Sequence, residues 1–495
     1  MHSEALSAST DPLSQLIVGL VLVLLFVVLT REAAHRVLVA LVAVSILWLL
    51  TYLTPWHLIT LEGASRALDL NVLLLLAGMM AVVGVLKATG VFEWMVGRLL
   101  AGRGGQPLLI LTILTWVTAL SSAFLDNVTT VIFIAPIALG IARRLEVDAR
   151  AFLLPVIMAA NIGGTATLIG DPPNILIGSS ADLSFVSFLV TLGPPVLVML
   201  LVFDLYMHSR YHDTLLTART LRDDGTAAAI RDRTLLRGMA WICGGILVGF
   251  LAHGVTGMPA AVPAVIGAAA ALVLQDVLYL RSNTPSAEER QHGILGVLEH
   301  DIEWPTLVFF ALLFIVVGAA VDTGLIGSLA HGLESGIRAG QEAFGFGESG
   351  TLLFAALLIL WVSGVMSALI DNIPFVAVSI PILHDLTATL PGETRVLWWA
   401  LALGACLGGN GSPIGASANV TTLDLAARDG TRVTFGEFLA IGVPVSLTTL
   451  ALSSAWLAGY VFLGNSVAAT GCLVLALLLA VPRYLRWRGS ARTPA

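Results

Sequence analysis

The sequence predicts an all-α polytopic membrane protein. About eleven transmembrane helices plus two re-entrant hairpins are expected, arranged as two inverted repeats with broken helices. Three observations carry this. The chain is 57% hydrophobic and only 12% charged, with a mean hydropathy of +0.93, whereas soluble domains carry about 25% charged residues. Its apolar runs are interrupted by Gly, Pro, Asn and Asp, residues that are costly in a bilayer unless they line a cavity or bind an ion. The interruptions also recur at an offset of 245 residues, as from Asp126 to Asp371.

Continuous apolar runs of spanning length fall at about 14–30, 36–53, 70–88, 186–208, 237–254, 259–280, 304–322, 436–458 and 465–483. Two more segments, about 150–180 and 397–427, are long enough to span but are broken by Gly, Pro and Asn. Regions of about 107–142 and 351–385 read as paired half-helices with a polar tip, each returning to the side it entered from. The N-terminal residues, Met1 to Gln15, lack Lys and Arg, so the first run is expected to be a retained helix and not a cleaved signal. The expected organisation is an N-terminal helix (1–35), a first repeat (36–208), a cytoplasmic linker and connecting helix (209–258), a second repeat (259–460), and a C-terminal helix with a basic tail (461–495). Cys243, Cys406 and Cys472 lie in apolar runs without zinc or disulfide spacing and read as small buried hydrophobes.

Charge supports this topology. With the N-terminus outside and the C-terminus cytoplasmic, only Arg66, Arg338 and Arg395 of the 25 basic residues fall outside. That is a strong positive-inside bias, and reading either hairpin as a full span would scramble it. The loop at about 209–236, with Arg222-Asp223-Asp224-Gly225, reads as a charged linker. The expected location is a bacterial inner membrane, with the lipid bilayer and a small ion as partners and no nucleic acid.

The repeat aligns without a gap over its central stretch. Ser122-Ala123-Phe124-Leu125-Asp126-Asn127 meets Ser367-Ala368-Leu369-Ile370-Asp371-Asn372, Gly163-Gly164 meets Gly408-Gly409, and Asn174 meets Asn419. Five spans separate the hairpins, an odd number, so the second repeat is inverted. Secondary transporters use this architecture, with the site near the midplane.

The hairpin tips carry Asp126-Asn127, with Thr129 following, and Asp371-Asn372. A carboxylate, an amide oxygen and freed carbonyls make a hard oxygen cage suited to Na⁺, so these four tip residues are the candidate metal ligands. A buried carboxylate can equally carry H⁺, and an Asp can cap the second half-helix. The breaks add Asn161, Gly163, Gly164, Thr165, Asp171 and Asn174 from the first repeat. They add Gly408, Gly409, Asn410, Ser412 and Asn419 from the second. The repeats differ where Asp171 meets Ala416, and Asp171 also reads as a cap of the helix it precedes. Asn71, Asp322, Lys87, and the pair His384-Asp385 are weaker candidates. His300, Asp301 and Glu303 are expected to be solvated, and Trp56, Trp398 and Trp399 to belong to the aromatic belt.

The stretches 124–130, 161–174, 367–375 and 404–411 closely resemble the melanosomal P protein and its prokaryotic relatives, a branch with a citrate-transporter-like permease domain. That branch belongs to the ion-transporter superfamily, alongside arsenite permeases, sodium/proton antiporters and sodium-coupled dicarboxylate transporters. The resemblance covers roughly residues 35–460. It implies a secondary active permease, coupled to Na⁺ or H⁺ and without any other cofactor, and a homodimer is the superfamily's typical assembly. Dicarboxylate members carry Ser-Asn-Thr at each tip, where this chain has Asp126-Asn127-Val128 and Asp371-Asn372-Ile373. Two acidic tips repel a dianion unless cations neutralise them.

The leading expectation is therefore an ion transporter and not an enzyme. A P-protein-type anion channel, an arsenite or antimonite efflux permease and a Na⁺/H⁺ antiporter stand as alternatives. An intramembrane aspartyl protease fits poorly, because the Gly-x-Gly-Asp pattern is missing and both aspartates lie in duplicated hairpins. A structural scaffold fits poorly because costly polar residues are repeated.

Overall fold

The computed structural model describes residues 11–31, 34–100, 106–217, 230–282 and 296–490. The linker motif Arg222-Asp223-Asp224-Gly225, together with Arg103, Arg219, Arg290 and Arg492 of the charge argument, lies outside the described residues. The described residues are helical throughout, with no strand among them. Among the described residues, eleven helices are long and apolar enough to cross a membrane. They are not the same set as the eleven expected spans. Pro107–Phe124, Asn127–Leu145 and Glu348–Leu369 are hairpin arms, while the apolar part of the C-terminal helix, Asn465–Val481, is shorter.

Both hairpins form. Pro107–Phe124 turns through Leu125 and Asp126 into Asn127–Leu145, and Glu348–Leu369 turns through Ile370 and Asp371 into Asn372–Thr389. Each tip lies inside the protein: Ser122, Asp126 and Asn127, and likewise Ser367 and Asn372, are buried. A polar tip enclosed by protein fits a re-entrant hairpin and not a span whose turn reaches water.

The broken helices sit at the centre. Arg150–Gly164 is buried from Ala151 to Gly164, and Arg395–Gly408 from Val396 to Gly408. A helix with no exposed face is apolar nearly all round, and in the enclosed parts of both, Asn161 is the one strongly polar side chain. Backbone contact explains the small residues in them. A Cβ at Gly163 would strike the backbone of Ala119, and one at Gly408 would strike the backbone of Gly364. Ala119 and Gly364 are themselves 245 residues apart. Each broken helix therefore lies directly on the first arm of its own hairpin, at the same contact in both repeats.

The remaining long helices surround this unit. Leu70–Ala88 packs on Ala261–Ser282, and Arg36–Leu53 on Trp304–Asp322. Three helices went unanticipated in the search for apolar runs: Leu61–Ala67, Val91–Leu100 and Leu325–Phe344. The last is amphipathic. It buries Ile326, Ala330 and Ile337 at helical spacing and leaves most of its polar residues towards solvent. Trp398 and Trp399 correct the aromatic-belt expectation. Trp399 is buried edge-on against Phe188 at 5.0 Å, and Trp398 meets His384 at 5.0 Å, because the half-helix that carries them is enclosed on all sides.

Candidate functional site

The two breaks are built by the same hydrogen bonds. Ser122 Oγ donates to the Ala160 carbonyl at 2.7 Å, and Ser367 Oγ to the Ala405 carbonyl at 2.5 Å. Thr167 Oγ1 donates to the Ala123 carbonyl, and Ser412 Oγ to the Ala368 carbonyl. Asn174 Nδ2 reaches the carbonyls of Gly164 (3.4 Å), Thr165 (3.2 Å) and Thr167 (2.9 Å). Asn419 Nδ2 reaches those of Gly409 (2.8 Å) and Ser412 (2.9 Å). Thr165 Oγ1 bonds back to the Asn161 carbonyl at 2.8 Å, a local contact that ends the half-helix. These side chains occupy backbone groups that the interruption frees.

Glycine lets the chain close on itself at each break. A Cβ at Gly170 would lie 2.5 Å from the Gly164 carbonyl oxygen and 2.6 Å from that of Ser122. At Gly415 the counterparts are Ser367 at 2.7 Å and Gly409 at 2.8 Å. Two carbonyl oxygens thus converge on each turn, one from the end of a hairpin arm and one from the end of a broken half-helix. This is the negative end of two helix dipoles and a suitable place for a cation.

The tips meet the breaks across the repeats. Asn127 Nδ2 donates to Asn161 Oδ1 at 3.1 Å. Asn161 Nδ2 donates in turn to Asn410 Oδ1 at 2.9 Å and to Asn419 Oδ1 at 2.8 Å. Hairpin 1 is therefore linked through one buried amide to the second repeat's break. Asp126 caps its helix by accepting from the Thr129 amide at 2.7 Å and from the Thr129 hydroxyl. Asp371 accepts from the Ile373 amide at 3.3 Å and from Ser417 Oγ at 2.8 Å. Both tip aspartates are caps with one protein donor per oxygen. Each oxygen keeps a lone pair, so capping leaves room for an ion.

The tip and break residues singled out from the sequence fall in this one cluster, but three residues take unexpected roles. Asp171 does not cap the helix it precedes: neither carboxylate oxygen has a hydrogen-bond partner, although both are buried. Asn372 Nδ2 is buried without a partner as well. Cys406 is more than a small hydrophobe, since its thiol faces Asn174 Oδ1 at 3.4 Å. Other participants were missed. Ser417 bridges Asp371 to Arg36, whose Nη1 donates to Ser417 Oγ at 3.2 Å and Nη2 to Thr306 at 2.7 Å. Asn71, a weaker candidate, donates to Ser179 Oγ at 3.1 Å, and Ser179 donates to Asp69 at 2.7 Å. Asp301 is not simply solvated: it pairs with Lys87 at 3.2 Å. Asp204, buried within Phe185–Leu216, accepts from Thr112 at 3.2 Å beside His208.

Two cavities flank the cluster. One, of about 1000 Å³, lies on the side of Arg66 and Asp322 and reaches Ser180 and His384. The other, of about 280 Å³, lies on the side of Arg36 and reaches Asp371 and Ser417. Both open on the seam between the hairpin unit and the surrounding helices.

Long apolar helices, two hairpins with enclosed tips and two paired broken helices define a membrane transporter. Comparison with known proteins agrees. The family model described as citrate transporter matches residues 21–404, and the chain belongs to that family. An uncharacterized transporter of Mycobacterium tuberculosis is 37% identical over 441 residues, covering 87% of this chain and 95% of that protein. The human P protein is 29% identical over 474 residues, covering 79% of this chain and 53% of that protein, so the chain spans about half its length. The YdaH transporter of Alcanivorax borkumensis shares the fold at a TM-score of 0.58 and 17% identity, covering 87% of this chain and 99% of that one. MtrF of Neisseria gonorrhoeae follows at 0.56 and 12%, covering 90% and 98%.

Proposed function

We propose that this protein is a secondary active transporter in which Na⁺ or H⁺, bound near the hairpin tips, drives a small inorganic or organic ion across the membrane. The observation that carries this reading is the hydrogen-bond set repeated at 245 residues. It turns two hairpins and two broken helices into a pair of equivalent oxygen-lined turns, at Gly170 and Gly415. Duplicated turns entered from opposite faces are what alternating access requires of an inverted repeat. Asp126, Asn127, Asp371 and Asn372 supply the tip ligands, and the Ser122, Gly164, Ser367 and Gly409 carbonyls complete the two turns.

The seam supports an elevator-like motion. Beside the apolar packing, polar contacts such as Asn71–Ser179 and Arg36–Ser417 cross from the hairpin unit to its surroundings, and cavities lie along that seam. Small, polar contacts of this kind are remade easily when one body slides past another. The membrane is taken to be a bacterial inner membrane, with the N-terminus outside and the C-terminus cytoplasmic, from the distribution of basic residues.

The test is uptake by purified protein in liposomes under imposed Na⁺ and H⁺ gradients. Citrate heads the solutes, because the family's description names it, followed by arsenite, chloride and dicarboxylates. Asp126→Ala is expected to abolish gradient-driven uptake while the protein stays folded. Normal ion dependence in that variant would remove Asp126 from the mechanism. Conductance far above transporter turnover would favour a channel instead.

A further inference from the structure

Asp171 is the place where the duplicated site is not duplicated. Its counterpart at 245 residues is Ala416. An aspartate before a helix ordinarily accepts from the N–H groups of that helix's second or third residue. Here the first two are Pro172 and Pro173, which have no N–H, and the third, Asn174, gives its N–H to the Asp171 carbonyl at 2.9 Å. The local sequence thus withholds every donor a capping carboxylate would use. No other protein group meets these oxygens at good hydrogen-bond geometry: both are buried, on a residue 1% exposed, with the Cys406 thiol and the Asn372 amide beside them.

The surroundings sharpen the point. Cys406 and Asn372 are the side chains that face the carboxylate, and the charges acting on it, those of Asp371 and Asp126, are negative. The Cys406 thiol is turned to Asn174 Oδ1. Asn372 Nδ2 is itself buried and faces the carboxylate without good hydrogen-bond geometry, so that contact alone orients the amide. Turned over, it presents Oδ1 to the same space. In the first repeat the equivalent amide, Asn127, is held by Asn161 Oδ1. In the second, position 406 is cysteine and offers no such acceptor.

We propose that Asp171 is the carboxylate ligand of a bound monovalent cation, Na⁺ in the first instance, with the Asn372 amide oxygen as a second ligand from the tip of hairpin 2. The chemistry is that of a hard cation: one carboxylate and one amide oxygen, buried together without a basic partner for the carboxylate. The site has no twin, so the two repeats bind unequal numbers of cations. It joins the first break to the second hairpin, so filling it holds hairpin 2 against the centre. It rests on the transporter reading only for that last consequence, because binding itself can be measured without transport.

The experiment is equilibrium binding of radioactive Na⁺ to the purified full-length chain in detergent, with thermal unfolding recorded at each Na⁺ concentration. Wild type is compared with Asp171→Asn and Asn372→Ala. Asp171→Asn keeps the shape and removes an uncompensated buried charge, so it is expected to unfold at a temperature no lower than wild type in Na⁺-free buffer. The same variant should bind one cation fewer per chain, or bind with at least tenfold weaker affinity, and should lose part of the Na⁺-dependent rise in unfolding temperature. Asn372→Ala should weaken the same component. Unchanged Na⁺ binding in Asp171→Asn overturns the proposal, as does wild type that binds no Na⁺, even if uptake proves to be H⁺-driven and the transporter reading survives. Conversely, Na⁺ binding lost on substitution in a protein that moves no solute upholds the site and removes the transporter reading.

Discussion

Asn161 and Cys406 stand at the same place in the two repeats, and each reaches the asparagine of the other repeat's broken helix. Asn161 Nδ2 bonds Asn419 Oδ1 at 2.8 Å, and Cys406 Sγ bonds Asn174 Oδ1 at 3.4 Å. The two contacts are symmetry mates in position and unequal in chemistry. The amide holds three groups, Asn127, Asn410 and Asn419, whereas the thiol makes a long bond to Asn174 and faces the Asp171 carboxylate. Hairpin 1 is thereby fastened to the opposite break at its tip, whereas hairpin 2 reaches the first repeat's broken helix further out, where His384 Nε2 lies 2.8 Å from Ser180 Oγ.

Replacing Asn161 tests that fastening. Asn161→Ala leaves Asn127 Nδ2, Asn410 Oδ1 and Asn419 Oδ1 without this partner in a fully buried place. A buried group stripped of its hydrogen bond costs about 1–3 kcal/mol. A loss of about 3 kcal/mol or more is therefore expected, seen as a lower unfolding midpoint of the purified protein. Cys406→Ala removes a single weak donor and should lower the midpoint far less. Equal effects from the two would contradict the asymmetry.

The converging carbonyls make a second prediction. Gly170→Ala puts a methyl 2.5 Å from the Gly164 carbonyl oxygen and 2.6 Å from that of Ser122, and Gly415→Ala does the same at 2.7 and 2.8 Å in the other repeat. The obstacles are backbone atoms, which cannot swing aside, and overpacking of this kind costs about 1–3 kcal/mol. Both variants should lose uptake, and Gly170→Ala should suffer more. Gly244→Ala, with nothing within 4 Å of the added carbon, serves as the tolerated control. Full uptake by Gly170→Ala would mean that the turn is not part of the site.

The apolar runs and the match at 245 residues between Ser122–Asn127 and Ser367–Asn372 made the spans, the hairpins and the breaks legible from the residues alone. What stayed hidden depends on which residues face one another. Pro172 and Pro173 could be seen to break a helix, yet their effect on Asp171, the removal of its only local donors, needed the geometry of the turn. Arg36 looked like one more inner-face charge. Its bond to Ser417, 381 residues away in the chain, has no trace in local pattern. Trp398 and Trp399 sit near a span end by position, and a sequence does not say whether lipid or protein surrounds that end. Leu325–Phe344 escaped because its polar face lowers its mean hydropathy, although its buried positions recur at helical spacing.

Motion along the seam predicts that fixing it stops transport. Asn71 Nδ2 and Ser179 Oγ are 3.1 Å apart, on opposite sides of the seam. The Asn71→Cys, Ser179→Cys pair, treated with a short thiol-reactive crosslinker, should lose uptake, and reduction of a cleavable linker should restore it. Each single variant should keep uptake after the same treatment. Crosslinked protein that still transports would show that these two helices do not part during the cycle.

Arg36 offers the last and most directional prediction. Its guanidinium is one hydroxyl away from Asp371: Arg36 Nη1 donates to Ser417 Oγ at 3.2 Å, and Ser417 donates to Asp371 Oδ2 at 2.8 Å. Asp126, the twin of Asp371, has Thr129 as its side-chain partner instead. A fixed positive charge at this distance opposes binding of a second cation to Asp371, by an amount that low-dielectric surroundings increase. Arg36→Gln keeps a donor for Ser417 and removes the charge. The half-saturating concentration of the coupling cation should therefore fall severalfold, read from uptake measured against cation concentration at constant ionic strength. Ser417→Ala removes the relay and leaves the arginine, which separates the two contributions. If Arg36→Gln instead raises that concentration, the arginine acts by positioning Ser417 and not through its charge.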